Sequence, residues 1–180
     1  MNKQEWLNKL LGDELVAHLQ YAIASKTVFG TDYDACASEF DQHSKEELEH
    51  FNKILNLMVQ RHLEVEQDLL TLIKESKSGY EIMSETASKE LVKFHIQAEK
   101  NAINTYREFL DNLTKEEQKD YALIHEIKNI LSDEIEHRTD LEKISSSINN
   151  SAIEKQAEIS VSTENQKSSF NYWQKFLIIL

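Results

Sequence analysis

The stretch Ile130-Leu131-Ser132-Asp133-Glu134-Ile135-Glu136-His137-Arg138-Thr139-Asp140-Leu141 decides the fold. Around it, Leu123, Ile127, Ile130, Leu141 and Ile144 recur at the three- and four-residue steps of a helix that buries one face. The two rungs missing from that ladder are Glu134 and His137. Two polar groups therefore stand where a core stripe calls for apolar ones. At a spacing of three they lie one turn apart on one face, so a carboxylate and an imidazole point the same way.

The same arrangement occurs earlier, in Ser44-Lys45-Glu46-Glu47-Leu48-Glu49-His50-Phe51. Glu47 falls seven residues after Phe40 and seven before Ile54, again inside an apolar seam, and His50 follows at three. Two further helices carry one seam glutamate each. Glu14 lies among Leu7, Leu10, Leu11, Leu15 and Tyr21, and Glu99 among Leu91, Val92, His95, Ala102 and Tyr106. Glu14 precedes Glu47 by 33 residues and Glu99 precedes Glu134 by 35, so the chain reads as a coarse repeat of two helix pairs.

Composition agrees with long helices. The 180 residues contain no Pro and three Gly. The periodic segments predict helices over about Lys3–Phe29, Ala35–Leu63, Glu85–Leu113 and Lys115–Ser147. Asp32 or Asp34 is placed to cap the second, and Thr114 with Glu117 forms a capping box before the fourth. The connection from Glu64 to Ser84 is long, as expected where consecutive bundle helices run parallel. The expected fold is all-α: a four-helix bundle over residues 1–147, then a polar linker and apolar tail over 148–180.

The net charge of −12 argues against a nucleic-acid partner, and the single Cys36 excludes a disulfide framework or a Cys-based metal site. No signal peptide or membrane-spanning run is visible, so a cytoplasmic protein without a membrane role is expected. The run Phe170–Leu180 is too short to cross a bilayer. It would dock on a partner protein, on another subunit or inside a protein compartment, or fold back on its own bundle; the sequence leaves these open.

A lone Glu-x-x-His is common on solvated helix faces. Two of them in core seams, with two more seam glutamates, point instead to a carboxylate di-metal arrangement: one Glu from each of two helices and Glu-x-x-His from the other two. Four buried carboxylates need compensating charge, and two divalent cations would supply it.

Leu7–Ala17 with Gln20-Tyr21, Ser44–His50 and Ile130–Leu141 closely resemble the first, second and fourth helices of bacterioferritins, with Ala98-Glu99 and Arg107-Glu108 matching the third less closely. The resemblance spans about residues 5–145. It implies a ferritin-like bundle in which Glu14 and His50 hold one iron, Glu99 and His137 the other, and Glu47 and Glu134 bridge them. It also implies oxidation of Fe(II) by dioxygen or peroxide for iron storage and detoxification, in a homo-oligomer, and a redox or hydrogen-bonding role for Tyr21. An oxygen-rich ligand set would also admit manganese or zinc. Leu48 stands where that family carries its haem-binding methionine, which argues against haem, and an apolar Leu48 still suits a subunit contact. Gln42 and Glu46 stand where some members bind iron on the inner surface through His and Asp.

His18, His43 and His95 are candidates for extra ligands or supporting partners, against a plain packing or surface role. Tyr106 is expected to be core packing. Two rival functions remain at this level: a di-iron or di-manganese peroxide-reducing protein on the same bundle, and a non-enzymatic helical binding module acting through its tail.

Overall fold

A computed structural model describes the backbone of residues 1–77 and 79–177, with side chains up to residue 151 and at residue 153. Among the described residues the helices are α1 (Lys3–Thr27), α2 (Tyr33–Gln60), the short α3 (Leu69–Glu75), α4 (Ser88–Asp111) and α5 (Tyr121–Leu177). The chain divides into two compact units at Ser145/Ser146. The first holds an all-α four-helix bundle of α1, α2, α4 and the first part of α5, with a long crossover between α2 and α4. In the second, the described backbone is helical through Leu177. The fourth helix thus continues past Ser147; residues 146–177 contain neither Gly nor Pro to stop it. The side chains of the apolar run Phe170–Leu180 lie outside the described residues.

Local chemistry sets the helix ends. A capping box starts α1, with Asn2 Oδ1 accepting from Glu5 N and Glu5 Oε2 accepting from Asn2 N, each at 2.9 Å. The break before α2 uses Gly30 (φ 103°) and Asp32 (φ 56°), both left-handed, and Asp32 makes no side-chain capping bond. Thr114 and Glu117 do form their box, at 2.9 and 3.3 Å. It caps only the 3₁₀ turn Glu117–Lys119, and α5 begins six residues later than expected. There Asp120 accepts from Leu123 N at 3.1 Å while gripping Arg61, at the end of α2, through two bonds of 2.6 and 2.7 Å.

That pairing puts the end of α2 beside the start of α5, so the two run antiparallel. The start of α4 lies beside the α1–α2 turn instead: Phe29 pairs with the backbone around Ala87, and Ser88 Oγ donates to Thr31 O at 2.6 Å. Helices α2 and α4 therefore run parallel, and the chain must return along the bundle between them. It returns along α1. Asn8 holds Glu64 and Glu66, Gln20 Nε2 holds Glu81 O, and Leu72 of α3 presses its carbonyl against Gly12. A Cβ at Gly12 would sit 2.4 Å from that oxygen, which is why glycine is needed in mid-helix.

The apolar seams are largely buried as the periodicity predicts, with Leu15, Ala102 and Ile144 only partly covered. At one end Trp6, Leu10, Leu11, Ile54, Phe109, Leu123 and Ile127 form a continuous cluster, each such side chain contributing about 1.5–3 kcal/mol relative to exposure. Tyr21, Ala24, Cys36, Phe40, Leu91 and Val92 are buried as well. No helix among the described residues is long and apolar enough to cross a membrane.

Candidate metal centre

Glu14, Glu47, His50, Glu99, Glu134 and His137 are all buried, none more than 3% exposed. They come together as two donor sets, Glu14/Glu47/His50/Glu134 and Glu47/Glu99/Glu134/His137, in each of which one atom per residue lies within 4.8 Å of the others. Glu47 and Glu134 belong to both. His50 Nδ1 lies 3.4 Å from Glu14 Oε2, 3.4 Å from Glu47 Oε2 and 3.1 Å from Glu134 Oε1. His137 Nδ1 lies 3.2 Å from Glu47 Oε1 and 4.0 Å from Glu99 Oε1.

The interior-facing atoms have no hydrogen-bond partner. Glu14 Oε2, Glu47 Oε1, Glu134 Oε1, His50 Nδ1 and His137 Nδ1 are all buried and unsatisfied. Buried polar atoms are rarely left so. Here five of them converge, one from each of five of the six residues, in a hard, oxygen-rich set with two imidazoles. That donor set fits two divalent first-row cations.

The outward atoms of the same residues are held. His50 Nε2 donates to Asp133 Oδ2 at 3.2 Å, and His137 Nε2 donates to Glu46 Oε2 at 2.9 Å. Each bond fixes the tautomer that leaves Nδ1 free toward the centre. Tyr21 OH donates to Glu99 Oε1 and Tyr106 OH donates to Glu14 Oε1, each across the bundle from the other's helix. Tyr106 is therefore more than the packing residue expected. Asp133 and Glu46 are supports that the seam pattern does not reveal: each is the acidic residue directly before a seam glutamate, and each serves the histidine of the other motif.

The electrostatics follow from burial and contact. Burial first, then Glu134, pushes the Glu14 carboxyl well above the usual carboxylate range. Burial, Glu134 and Glu47 do the same to Glu99. Burial would raise Glu47 too, but the contacts with His137 and His50 together hold it well below. Burial disfavours charge on His137, yet Glu47 and Glu134 outweigh it and raise the imidazole to about 9. His50 is raised further still, burial being overcome by Glu134, Glu14 and Glu47. Both tyrosines are pushed well up, by burial and then by the carboxylate each one bonds or its neighbours.

The three extra histidines separate. His18 Nδ1 is 2.7 Å from Ser44 O, so it ties α1 to α2 and stands in no donor set. His95 stacks on Tyr21, centroids 4.0 Å apart at 12°, and burial and then His43 push it down to about 3. His43 stacks on His137 at 4.1 Å and shares a donor set with Glu99 and His137. A cavity of about 220 Å³ between α2 and α5 reaches the centre. Exposed Gln42, Glu49 and Glu136 line it, with buried His43, His50 and His137.

No curated protein matches the sequence. Among solved structures, a dodecameric thioferritin, the bacterioferritin-related protein from Bacteroides fragilis, is similar in fold, with a TM-score of 0.79 over 84% of this chain and 88% of that one at 24% identity. The sequence model of the ferritin-like domain matches residues 4–150, most of the chain and every donor described above. With that match and a bundle of the same fold, the chain belongs to the ferritin-like family.

Proposed function

We propose that this protein is a cytoplasmic ferroxidase that binds two Fe(II) ions as substrate and oxidises them with dioxygen or peroxide, for iron storage and detoxification. The observation that carries the reading is the pair of buried four-donor sets sharing Glu47 and Glu134, with their interior atoms unpartnered. In this assignment Glu14 and His50 hold one ion, Glu99 and His137 hold the other, and Glu47 and Glu134 lie between them. Four carboxylate charges match two divalent cations. Two ions give up two electrons together, the number that takes dioxygen to peroxide or peroxide to water.

The chain's own groups position this chemistry. Asp133 and Glu46 hold the two imidazoles with Nδ1 inward. Tyr21 and Tyr106 keep one oxygen of Glu99 and Glu14 engaged, which leaves the other for the ion. Tyr21 OH is the hydroxyl we assign a redox or hydrogen-bonding role. The acidic cavity between α2 and α5 draws cations toward the histidines. Manganese or zinc would fit the same donors. Leu48, 41% exposed, and Val59, 59% exposed, give α2 an apolar outer edge that suits a second copy of the chain. The Bacteroides protein of similar fold is described as dodecameric, and we assign this chain a homo-oligomer too.

Fe(II) added anaerobically, followed by air and rapid absorbance measurement, tests the reading. A saturable oxidation phase at about two ions per chain is expected, and it should be lost in Glu47→Ala and His137→Ala. No saturable phase, or one unchanged in those variants, refutes it. Strong preference for peroxide without mineral growth would move the reading to peroxide removal. Light scattering checks assembly: a stable monomer would remove storage.

A further inference from the structure

One donor group lies outside the paired centre and is unused by the reading above. Glu39 and His43 stand one turn apart on α2, and Asp140 faces them from α5; one ligand atom from each lies within 4.8 Å of the other two. His43 Nε2 is 3.2 Å from Glu39 Oε1. The two carboxylates are only partly covered, with side chains 24% and 30% exposed, whereas His43 is 1% exposed. His43 Nδ1 has no hydrogen-bond partner. A surface ion pair would leave the imidazole in water and its second nitrogen solvated. This imidazole is instead sunk at the floor of the α2/α5 cavity, which His43 and Asp140 both line.

We propose that Glu39, His43 and Asp140 form a third divalent-metal site, separate from the paired centre, that takes a first-row cation reaching it through the acidic cavity. Two carboxylates and one imidazole are a donor set for Fe(II), Mn(II) or Zn(II), too hard for copper(I) and too nitrogen-rich for a dedicated magnesium site. The position is the second argument. The His43 ring lies against His137, and His43 also stands within donor range of Glu99. A cation here is one imidazole away from the His137 half of the centre. Lys143 Nζ already bonds Asp140 Oδ1 at 2.6 Å. That lysine is 70% exposed, so it can swing to water when a cation arrives.

Any passage of that cation on to the paired centre rests on the paired-metal reading; the site itself does not. The test uses the full chain, stripped of metal, with Zn(II) as a redox-inert probe. Equilibrium dialysis counts bound zinc, and anomalous diffraction from zinc-soaked crystals locates it. Three ions per chain are expected, one of them between Glu39, His43 and Asp140. The double variant Glu39→Gln/Asp140→Asn should lose that ion and keep two. Asp140→Asn alone, the milder change, should weaken it at least tenfold. Glu47→Gln should empty or weaken the pair while the third ion stays. If zinc binding changes in Glu39→Gln but not in Glu47→Gln, the third site stands and the paired centre falls. Wild-type protein saturating at two ions, a third ion seated elsewhere, or a third ion unaffected by the double variant would overturn the proposal.

Discussion

Replacing Asp133 with Asn should weaken metal binding at the His50 half of the centre and spare the other half. Asp133 Oδ2 accepts from His50 Nε2 at 3.2 Å, and this contact sets the ring so that Nδ1 faces Glu14, Glu47 and Glu134. Carboxylates that orient a ligating histidine are worth about 10- to 100-fold in metal affinity. The lower end applies here, because the Asp133 side chain is 42% exposed and Asn keeps a weaker acceptor in the same place. We expect about tenfold, or about 1.4 kcal/mol. Glu46 holds His137 at 2.9 Å, so Glu46→Gln should do at least as much at the other half.

Competition titration of the metal-free protein against a chelator, with Zn(II) at neutral pH, resolves the two steps. Part of any loss could come from removing a negative charge near the cavity rather than from freeing a ring. Glu49→Gln controls for this, since Glu49 lines the same cavity while Asp133 and Glu46 are the carboxylates that hold the two histidines. Its effect should stay below about threefold in moderate salt. If Asp133→Asn follows the wild-type curve, or falls only as far as Glu49→Gln, the orienting role is wrong. The reasoning would then be wrong for Glu46 as well, because both rest on the same geometry.

Tyr106→Phe should destabilise the metal-free protein by about 1–2 kcal/mol, because Glu14 Oε1 loses its buried donor; calorimetry should show a Tm lower by about 2–4 °C per kcal/mol. An unchanged Tm would return Tyr106 to packing alone. Gly12→Ala gains about 1 kcal/mol of helix propensity but drives a Cβ into Leu72 O, so denaturant titration should show a net loss within the overpacking range of about 1–3 kcal/mol. The Arg61–Asp120 pair holds the Asp120 carboxyl down at about 2, so its contribution is complete above the unfolded value near 4 and disappears as pH falls from there through about 2. We expect about 1 kcal/mol, seen as a stability difference from Asp120→Asn at pH 6 that closes toward pH 2.

The seams made the fold and the six donors readable, because within one helix the 3.6-residue period fixes which residues share a face. Glu134 and His137 could be recognised as intruders in a ladder without knowing what the ladder packs against. Contacts between helices were not readable in that way. Asp133 lies one residue off the seam, and whether it reaches His50 depends on how far α5 is rotated against α2. The same holds for Tyr106, whose spacing suits a buried ring but does not show that its hydroxyl ends at Glu14. The start of α5 was misplaced for a related reason. Thr114 and Glu117 satisfy the local capping rule, yet Asp120, drawn to Arg61 59 residues away in sequence, sets the helix start.

The arrangement of these cross-helix contacts bears on how the bundle tolerates its own centre. Four carboxylates at the middle of an apolar seam would repel each other strongly if all were charged and dry. The terminal pair, Glu14 and Glu99, are the ones pushed toward the neutral form, and they are also the ones that receive tyrosine hydroxyls. Glu47, between the two imidazoles, is the one held charged, and both imidazoles are pushed toward the protonated form. In the metal-free bundle the surrounding carboxylates thus favour protons on the imidazoles that would face the two ions, while burial favours the neutral form of the outermost carboxyls. Protons and metals are in this sense alternative ways to offset the same buried negative charge. That also explains why the supports sit outside the donor shell: Asp133 and Glu46 bond Nε2, the nitrogen whose role is the same whether Nδ1 carries a proton or faces a cation.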